Sequence, residues 1–85
     1  MVKKTQAVKL LVECLRQPEC QIAFEPEGAV LTLRQDDRFT VEIMGSGEGA
    51  VEIACRPDGL SIWAWSGAET SVWNKAGELL EPRSL

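Results

Sequence analysis

The sequence predicts an α+β fold, in which one N-terminal amphipathic helix packs on a strongly curled antiparallel meander of six to seven strands. Three observations predict this fold. Residues 4–16 carry apolar side chains at helical spacing, the chain after Pro18 alternates apolar and polar residues, and turns rich in proline and glycine separate the alternating runs. With 85 residues, the chain is long enough for a single domain, residues 1–85.

The predicted helix covers about residues 4–16, because apolar side chains recur there every three to four positions. Pro18 ends it, since the residue before a proline avoids the α-region. The arc that is expected to face the sheet consists of Ala7, Val8, Leu11, Val12, Cys14 and Leu15.

Seven short runs after Pro18 read as strands. Because the connections between them are short, strands adjacent in sequence are expected to be neighbours in an antiparallel sheet. No second helix is long enough for a crossover connection, which argues against parallel pairs. Residues 82–85 are expected to form a frayed tail. The predicted strands lie at about 20–25, 29–34, 39–44, 50–55, 60–65, 71–74 and 78–81.

The clearest turn signal is Pro57-Asp58-Gly59, which leads into the most apolar predicted strand, at 60–65. A three-residue hairpin loop there pairs Arg56 with Leu60 and places Ile53 opposite Trp63. We favour this register because a small domain gains most from burying its largest side chains. The face that it predicts for the core carries Leu31, Leu33, Phe39, Val41, Ile43, Val51, Ile53, Cys55, Trp63, Trp65 and Trp73.

A second register remains open, in which a bulge or a different loop turns the strand at 60–65 over. Leu60, Ile62 and Ala64 then join the core. Three indoles stand on the outer face and form an apolar patch too large to be without a function. This register predicts a binder of a small ligand, a sugar or a planar molecule, that uses Trp63, Trp65 and Trp73.

In the favoured register the strand at 60–65 is apolar on both faces, and one helix covers only one of them. The outer face then needs a protein partner or a second copy of the chain, so that a homodimer is one expectation. The contact would run along the predicted strands at 60–65 and 71–74. Its expected residues are Leu60, Ile62 and Val72, with Glu42 and Glu52 as polar neighbours.

The charge balance bears on the kind of partner. The sequence has 13 acidic and 9 basic residues, a formal net charge of −4, and no basic stripe of the kind that nucleic acids require. We therefore expect a small protein-binding module, acting as a regulator or inhibitor by contact, against a basic or nucleic-acid-handling protein. Direct binding of nucleic acid or of a membrane is not expected.

The sequence lacks residues on which several kinds of catalysis and metal binding depend. The sequence has no histidine, which removes the commonest general base and imidazole metal ligands, so we predict no enzyme, no metal and no cofactor. Three cysteines without a CxxC motif do not indicate a disulfide framework. Lys9 and Glu13 interrupt the apolar start of the chain, so a signal peptide is not predicted. The expected location is cytoplasmic, with reduced thiols.

Overall fold

The computed structural model describes residues 5–80, 83 and 84. In this part of the chain all regular structure is β, and the predicted α+β class is wrong. The strands are β1 (Thr5–Glu13), β2 (Glu19–Glu25), β3 (Ala29–Arg34), β4 (Arg38–Ser46), β5 (Glu52–Arg56), β6 (Gly59–Trp63), β7 (Ala68–Trp73), β8 (Leu79–Leu80) and β9 (Arg83–Ser84).

Two sheets face each other. Sheet A has the strand order β1-β4-β7-β8, and sheet B has the order β5-β6-β2-β3-β9. The core between them draws on both sheets, because residues such as Val41 and Ile43 in sheet A belong to one buried cluster with Ile22 and Leu33 in sheet B. The predicted meander is wrong, because only three of the seven strand pairs in the described part of the chain join strands adjacent in sequence, namely β2–β3, β5–β6 and β7–β8. The expected antiparallel direction holds for six of these seven pairs.

The segment predicted as a helix is strand β1. Its side chains are alternately exposed and half-buried along all nine residues, and every one of them pairs with β4. Val8, Leu10 and Val12 face the core, whereas Lys9 and Glu13 face solvent. The apolar residues of β1 fit both the helical period and the strand period. Val8 and Val12 are β-branched, which favours a strand. Pairing with the nine-residue strand β4 decides between the periods.

The expectation that no strands pair in parallel is also wrong, because β2 and β6 run parallel with Gln21 opposite Gly59. The crossover that links them consists of β3, β4 and β5 instead of a helix. Gly59 allows the two strands to meet: a Cβ atom at this position would collide with the backbone carbonyl oxygen of Gln21. The ladder continues into the preceding turn, where the Gln21 amide donates to the Asp58 carbonyl oxygen over 2.7 Å.

The favoured register of the hairpin at residues 52–63 is wrong by one residue. Arg56 pairs with Gly59 instead of Leu60, so the loop has two residues, Pro57 and Asp58. Ile53 therefore faces Ile62 instead of Trp63. A one-residue slip exchanges the two faces of a strand, which places Ile62 in the core and Trp63 outside.

Cys14 and Cys20 form a disulfide, contrary to the expectation of reduced thiols, and Cys55 is free and exposed. The bond joins the chain just after β1 to the beginning of β2, and so connects the two sheets. Among the described residues, no helix has the length and apolar character to cross a bilayer.

Some predicted boundaries concern residues that the structure does not describe. Lys4 at the start of the predicted helix, Glu81 at the end of the last predicted strand, and positions 82 and 85 of the predicted tail lie outside the described residues. Residues 83 and 84 form β9 beside β3, where the sequence predicted a frayed tail.

Candidate binding site

A cleft of about 780 Å³ opens at one end of the sandwich. One side is formed by the end of β2 and the turn at residues 26–28, and the other by the connection at residues 64–67 and the first part of β7. The parallel pairing of β2 and β6 brings these segments together, because it aligns the end of β2 with the end of β6. The cleft therefore depends on the register in which β2 and β6 pair.

Trp63 is the exposed aromatic residue of this cleft. It is 42% exposed, on the side of β6 opposite to the buried Ile62. On the two neighbouring strands its direct partners are Glu25 of β2 and Glu52 of β5. Directly opposed residues share a face of the sheet, with their Cβ atoms roughly 5 Å apart. The indole therefore stands between two carboxylate side chains in one cross-strand row.

Trp65 forms a fixed wall of the cleft. It follows the end of β6 and is only 6% exposed. Its indole N–H donates to the carbonyl oxygen of Ser46 over 3.2 Å, which ties this segment to the end of β4. Gly49 lies against its side chain so closely that a Cβ atom at position 49 would collide with that of Trp65. Trp65 is thus held in place, whereas Trp63 is open to a ligand.

The charge of the cleft is negative. Among the residues whose side chains the structure describes, the lining includes Glu25, Glu27 and Glu69 and no lysine or arginine. Glu52 adds a fourth carboxylate beside Trp63. Among the described residues, no group of three or more acidic or cysteine side chains is arranged to hold a metal ion. Exposed π surface combined with carboxylates is suited to an organic cation, which the indole face and the acidic groups attract together.

The residues predicted to contact a partner do not lie together in the structure. Ile62 and Val72 are 2% and 1% exposed and belong to the core, and Leu60 is half-buried. Glu42 is half-buried on the outer face of sheet A, whereas Glu52 lies in the other sheet, on the edge strand β5 of sheet B. Of this set, Glu52 alone lies beside the cleft.

The three tryptophans do not share one surface. Trp63 and Trp65 line the cleft, but Trp73 lies on the outer face of sheet A, half-buried. There it forms a cross-strand row with Leu11, Thr40 and Leu79, one residue from each strand of the sheet. Both predicted tryptophan arrangements, all inside or all outside, are therefore wrong.

Sequence reasoning missed Glu25, Glu27 and Glu69 as site residues. Glu25 ends the predicted strand at 20–25, and Glu27 lies in the turn signal Pro26-Glu27-Gly28 that follows it, where acidic residues normally serve as solvated surface. No local spacing links them to Glu69 or to Trp63. The parallel pair β2–β6 brings Glu25 beside Trp63, and the position of β7 at the cleft brings Glu69 to the same site; both are tertiary features.

Comparison of this chain with protein-family models, with characterised proteins and with solved structures gave no significant match.

Proposed function

We propose that this chain is a non-enzymatic interaction module, a regulator or inhibitor that acts by contact on a partner protein with a basic segment. The observation that carries the proposal is the exposed Trp63 indole between Glu25 and Glu52, at the rim of an acidic cleft. An arginine or lysine side chain of the partner is the guest that this arrangement fits.

The physical basis is the combination of two attractions. A cation above an indole face gains about 0.5–1 kcal/mol at an exposed site and about 2 kcal/mol where water is excluded. Arginine suits the site best, because its planar guanidinium can stack on Trp63 and still donate hydrogen bonds to Glu25 or Glu52. The remaining carboxylates, Glu27 and Glu69, would attract further basic residues of the same segment.

The site differs from the one predicted from the sequence but retains part of it. The predicted strand at 60–65 still supplies the contact, through Trp63 instead of Leu60 and Ile62. A basic partner remains the expected class, because the chain has a formal net charge of −4 and the described lining of the cleft contains three glutamates and no basic residue.

A small ligand is the second candidate. The cleft volume of about 780 Å³ falls in the range of small-molecule sites, and Trp63 offers a flat apolar face to a sugar or a planar molecule. The surrounding carboxylates favour a cation over a neutral guest, so we rank the basic segment first.

The cytoplasmic location stays a prediction. The disulfide between Cys14 and Cys20 favours an oxidising compartment, because protein disulfides rarely persist in a reducing cytosol.

The test uses calorimetric titration with an acetylated hexa-arginine amide and with the same peptide built from citrulline. Citrulline keeps the shape of arginine but carries no charge. We expect the arginine peptide to bind, with an affinity that falls as salt rises, and the citrulline peptide not to bind. Trp63→Leu should weaken binding about three- to thirtyfold, which corresponds to roughly 0.5–2 kcal/mol.

Matched controls separate a site from general attraction to an acidic protein. Glu25→Gln should weaken binding, whereas Glu19→Gln, at the opposite end of the same strand, should not. Trp73→Leu, on the other sheet, should leave affinity unchanged. Equal losses at Glu19 and Glu25 would show that only net charge matters. Binding of a neutral oligosaccharide such as maltohexaose, lost in Trp63→Leu, would support the small-ligand candidate instead.

A further inference from the structure

Strand β1 forms one border of sheet A. It is nine residues long, and among the described strands it pairs with β4 alone. The backbone N–H and C=O groups along its other side are therefore free to pair with another strand. Long regular edges of this kind are templates for strand addition unless proline, a bulge or charges protect them. β1 contains no proline, and its central residue is Lys9.

The apolar side chains of β1 are incompletely buried, which shows that no described element covers this edge of sheet A. Val8, Leu10 and Val12 face the core but are only half-buried, whereas their direct partners on β4, Ile43, Val41 and Phe39, are buried. Leu11, on the outer face, is 62% exposed. Apolar side chains on both faces of the edge thus remain partly in water.

We propose that two copies of this chain join through β1, antiparallel, with the two-fold axis at Leu11. Leu11 then faces the partner's Leu11 on the outer side, and Leu10 faces the partner's Val12 on the core side. Lys9 faces the partner's Glu13, and symmetry repeats that ion pair. Sheet A becomes one continuous sheet across both copies, as in a C2 interface that uses the same patch twice.

The charges select this register from the alternatives. An axis at Lys9 would oppose two lysines, and an axis at Glu13 would oppose two glutamates. An axis at Leu10 or Val12 would leave Lys9 opposite an apolar residue, without an ion pair. Opposite charges on directly facing residues stabilise a strand pair, and like charges destabilise it.

The charge row extends beyond the two edge strands. Within one copy, Glu13 pairs with Arg38, at 3.5 Å between Oε1 and Nε, and Lys9 lies opposite Glu42. Across the proposed junction the row therefore reads Arg38, Glu13, the partner's Lys9 and the partner's Glu42. Each positive group has only negative neighbours in the row. This alternation is the complementarity that identifies a second copy as the occupant of the edge.

The cross-strand row that contains Trp73 on the outer face of sheet A also continues across the proposed junction. Leu11, Thr40, Trp73 and Leu79 would meet their symmetry copies at Leu11, forming one band across both outer faces. The cleft beside Trp63 is lined by residues of β2, β6 and β7 and by no described residue of β1, so this inference does not depend on the proposed function.

The test measures the association constant by sedimentation velocity, from low micromolar to millimolar protein, in a Cys55→Ser background that prevents cross-linking through the free thiol. We expect a reversible dimer. Lys9→Glu and Glu13→Lys should each raise the dissociation constant at least tenfold, because each creates two like-charge pairs. Lys75→Glu changes the charge equally in the turn between β7 and β8 and should have no such effect.

Mixing the two single variants gives the decisive result. One copy then carries two glutamates and the other two lysines at these positions, so both facing pairs are again attractive. We expect a heterodimer at concentrations at which each variant alone is monomeric. A wild-type chain that stays monomeric at millimolar concentration would overturn the proposal, as would a mixture that does not associate.

Hydrogen exchange provides a readout that needs no substitution. Alternate backbone amides of Lys9–Glu13, the part of β1 that faces the partner's β1 in this register, should become protected as the protein concentration rises, since the facing strand accepts their hydrogen bonds. Protection in β1 that is independent of concentration would contradict the proposed pairing.

Discussion

Trp63 and Glu25 stand directly opposite each other across the parallel strands β2 and β6, on the face of sheet B that points away from the core. This relationship exists because Gly59 lets β6 approach β2 closely and because the preceding loop has two residues. A loop longer by one residue would turn Trp63 inward and leave Glu25 without an aromatic neighbour. The register of a single hairpin therefore decides whether the Trp63 indole is accessible.

Two isoleucines that face each other in this hairpin report on the register. Ile62 is 2% exposed, whereas Ile53 is 51% exposed at the edge strand β5. Ile62→Ala should lower the free energy of unfolding by about 2–4 kcal/mol, because it leaves a cavity in the core. Ile53→Ala should cost less than about 1 kcal/mol. Urea denaturation of both variants gives the comparison.

The register that the sequence favoured makes the opposite prediction for this pair. It places Ile53 in the core and Ile62 outside. A larger loss of stability for Ile53→Ala than for Ile62→Ala would therefore contradict the structure.

Gly59 should tolerate no side chain. Gly59→Ala places a Cβ atom against the Gln21 backbone, so β2 and β6 must separate locally. We expect a loss of about 2–4 kcal/mol of unfolding free energy, at the upper end of single substitutions. Gly47→Ala is the control, because Gly47 also has a positive φ, 95°, but has open space around it. It should cost only the backbone strain, about 1–2 kcal/mol. Equal losses in urea denaturation would argue against the close approach.

Alkylation of the thiols distinguishes the disulfide from the reduced thiols predicted from the sequence. The oxidised chain, unfolded without reductant, should take up iodoacetamide at Cys55 only. After reduction, Cys14 and Cys20 should react as well, and Cys55→Ser should take up none before reduction. Mass spectrometry counts the adducts. Three adducts on the unreduced chain would show that the disulfide is absent.

The two tryptophans of the cleft should differ in solvent access. Trp65 is buried and donates a hydrogen bond to Ser46, so Trp65→Phe should cost about 1–3 kcal/mol of unfolding free energy. Trp63→Phe should cost little stability but remove the most readily quenched part of the fluorescence. Acrylamide quenching of the two variants measures this. Equal quenching constants would mean that the indoles do not differ in exposure.

The sequence predicted much of the central β-structure. The predicted strands at 20–25, 29–34 and 39–44 correspond to β2, β3 and β4, and Leu33, Phe39, Val41 and Ile43 are buried as expected. Strict alternation over five or more residues, bounded by turn residues, identifies such strands from local information alone.

The errors arise where local patterns are ambiguous. Residues 5–13 satisfy both the helical and the strand period, and only pairing with β4 selects the strand. Pro57-Asp58-Gly59 is compatible with a two-residue and a three-residue loop, and the difference exchanges the faces of β6. The carboxylates of the cleft, Glu25 and Glu69, come together only through the sheet topology.

The most direct test of the proposed function follows the three indole N–H resonances of the ¹⁵N-labelled chain during titration with the acetylated hexa-arginine amide. We expect the Trp63 resonance to move progressively and saturate, together with backbone amides around Glu25 and Glu27, while the Trp73 resonance stays in place. A Trp63 resonance that does not move, or shifts spread evenly over both sheets, would contradict a basic-segment site beside Trp63.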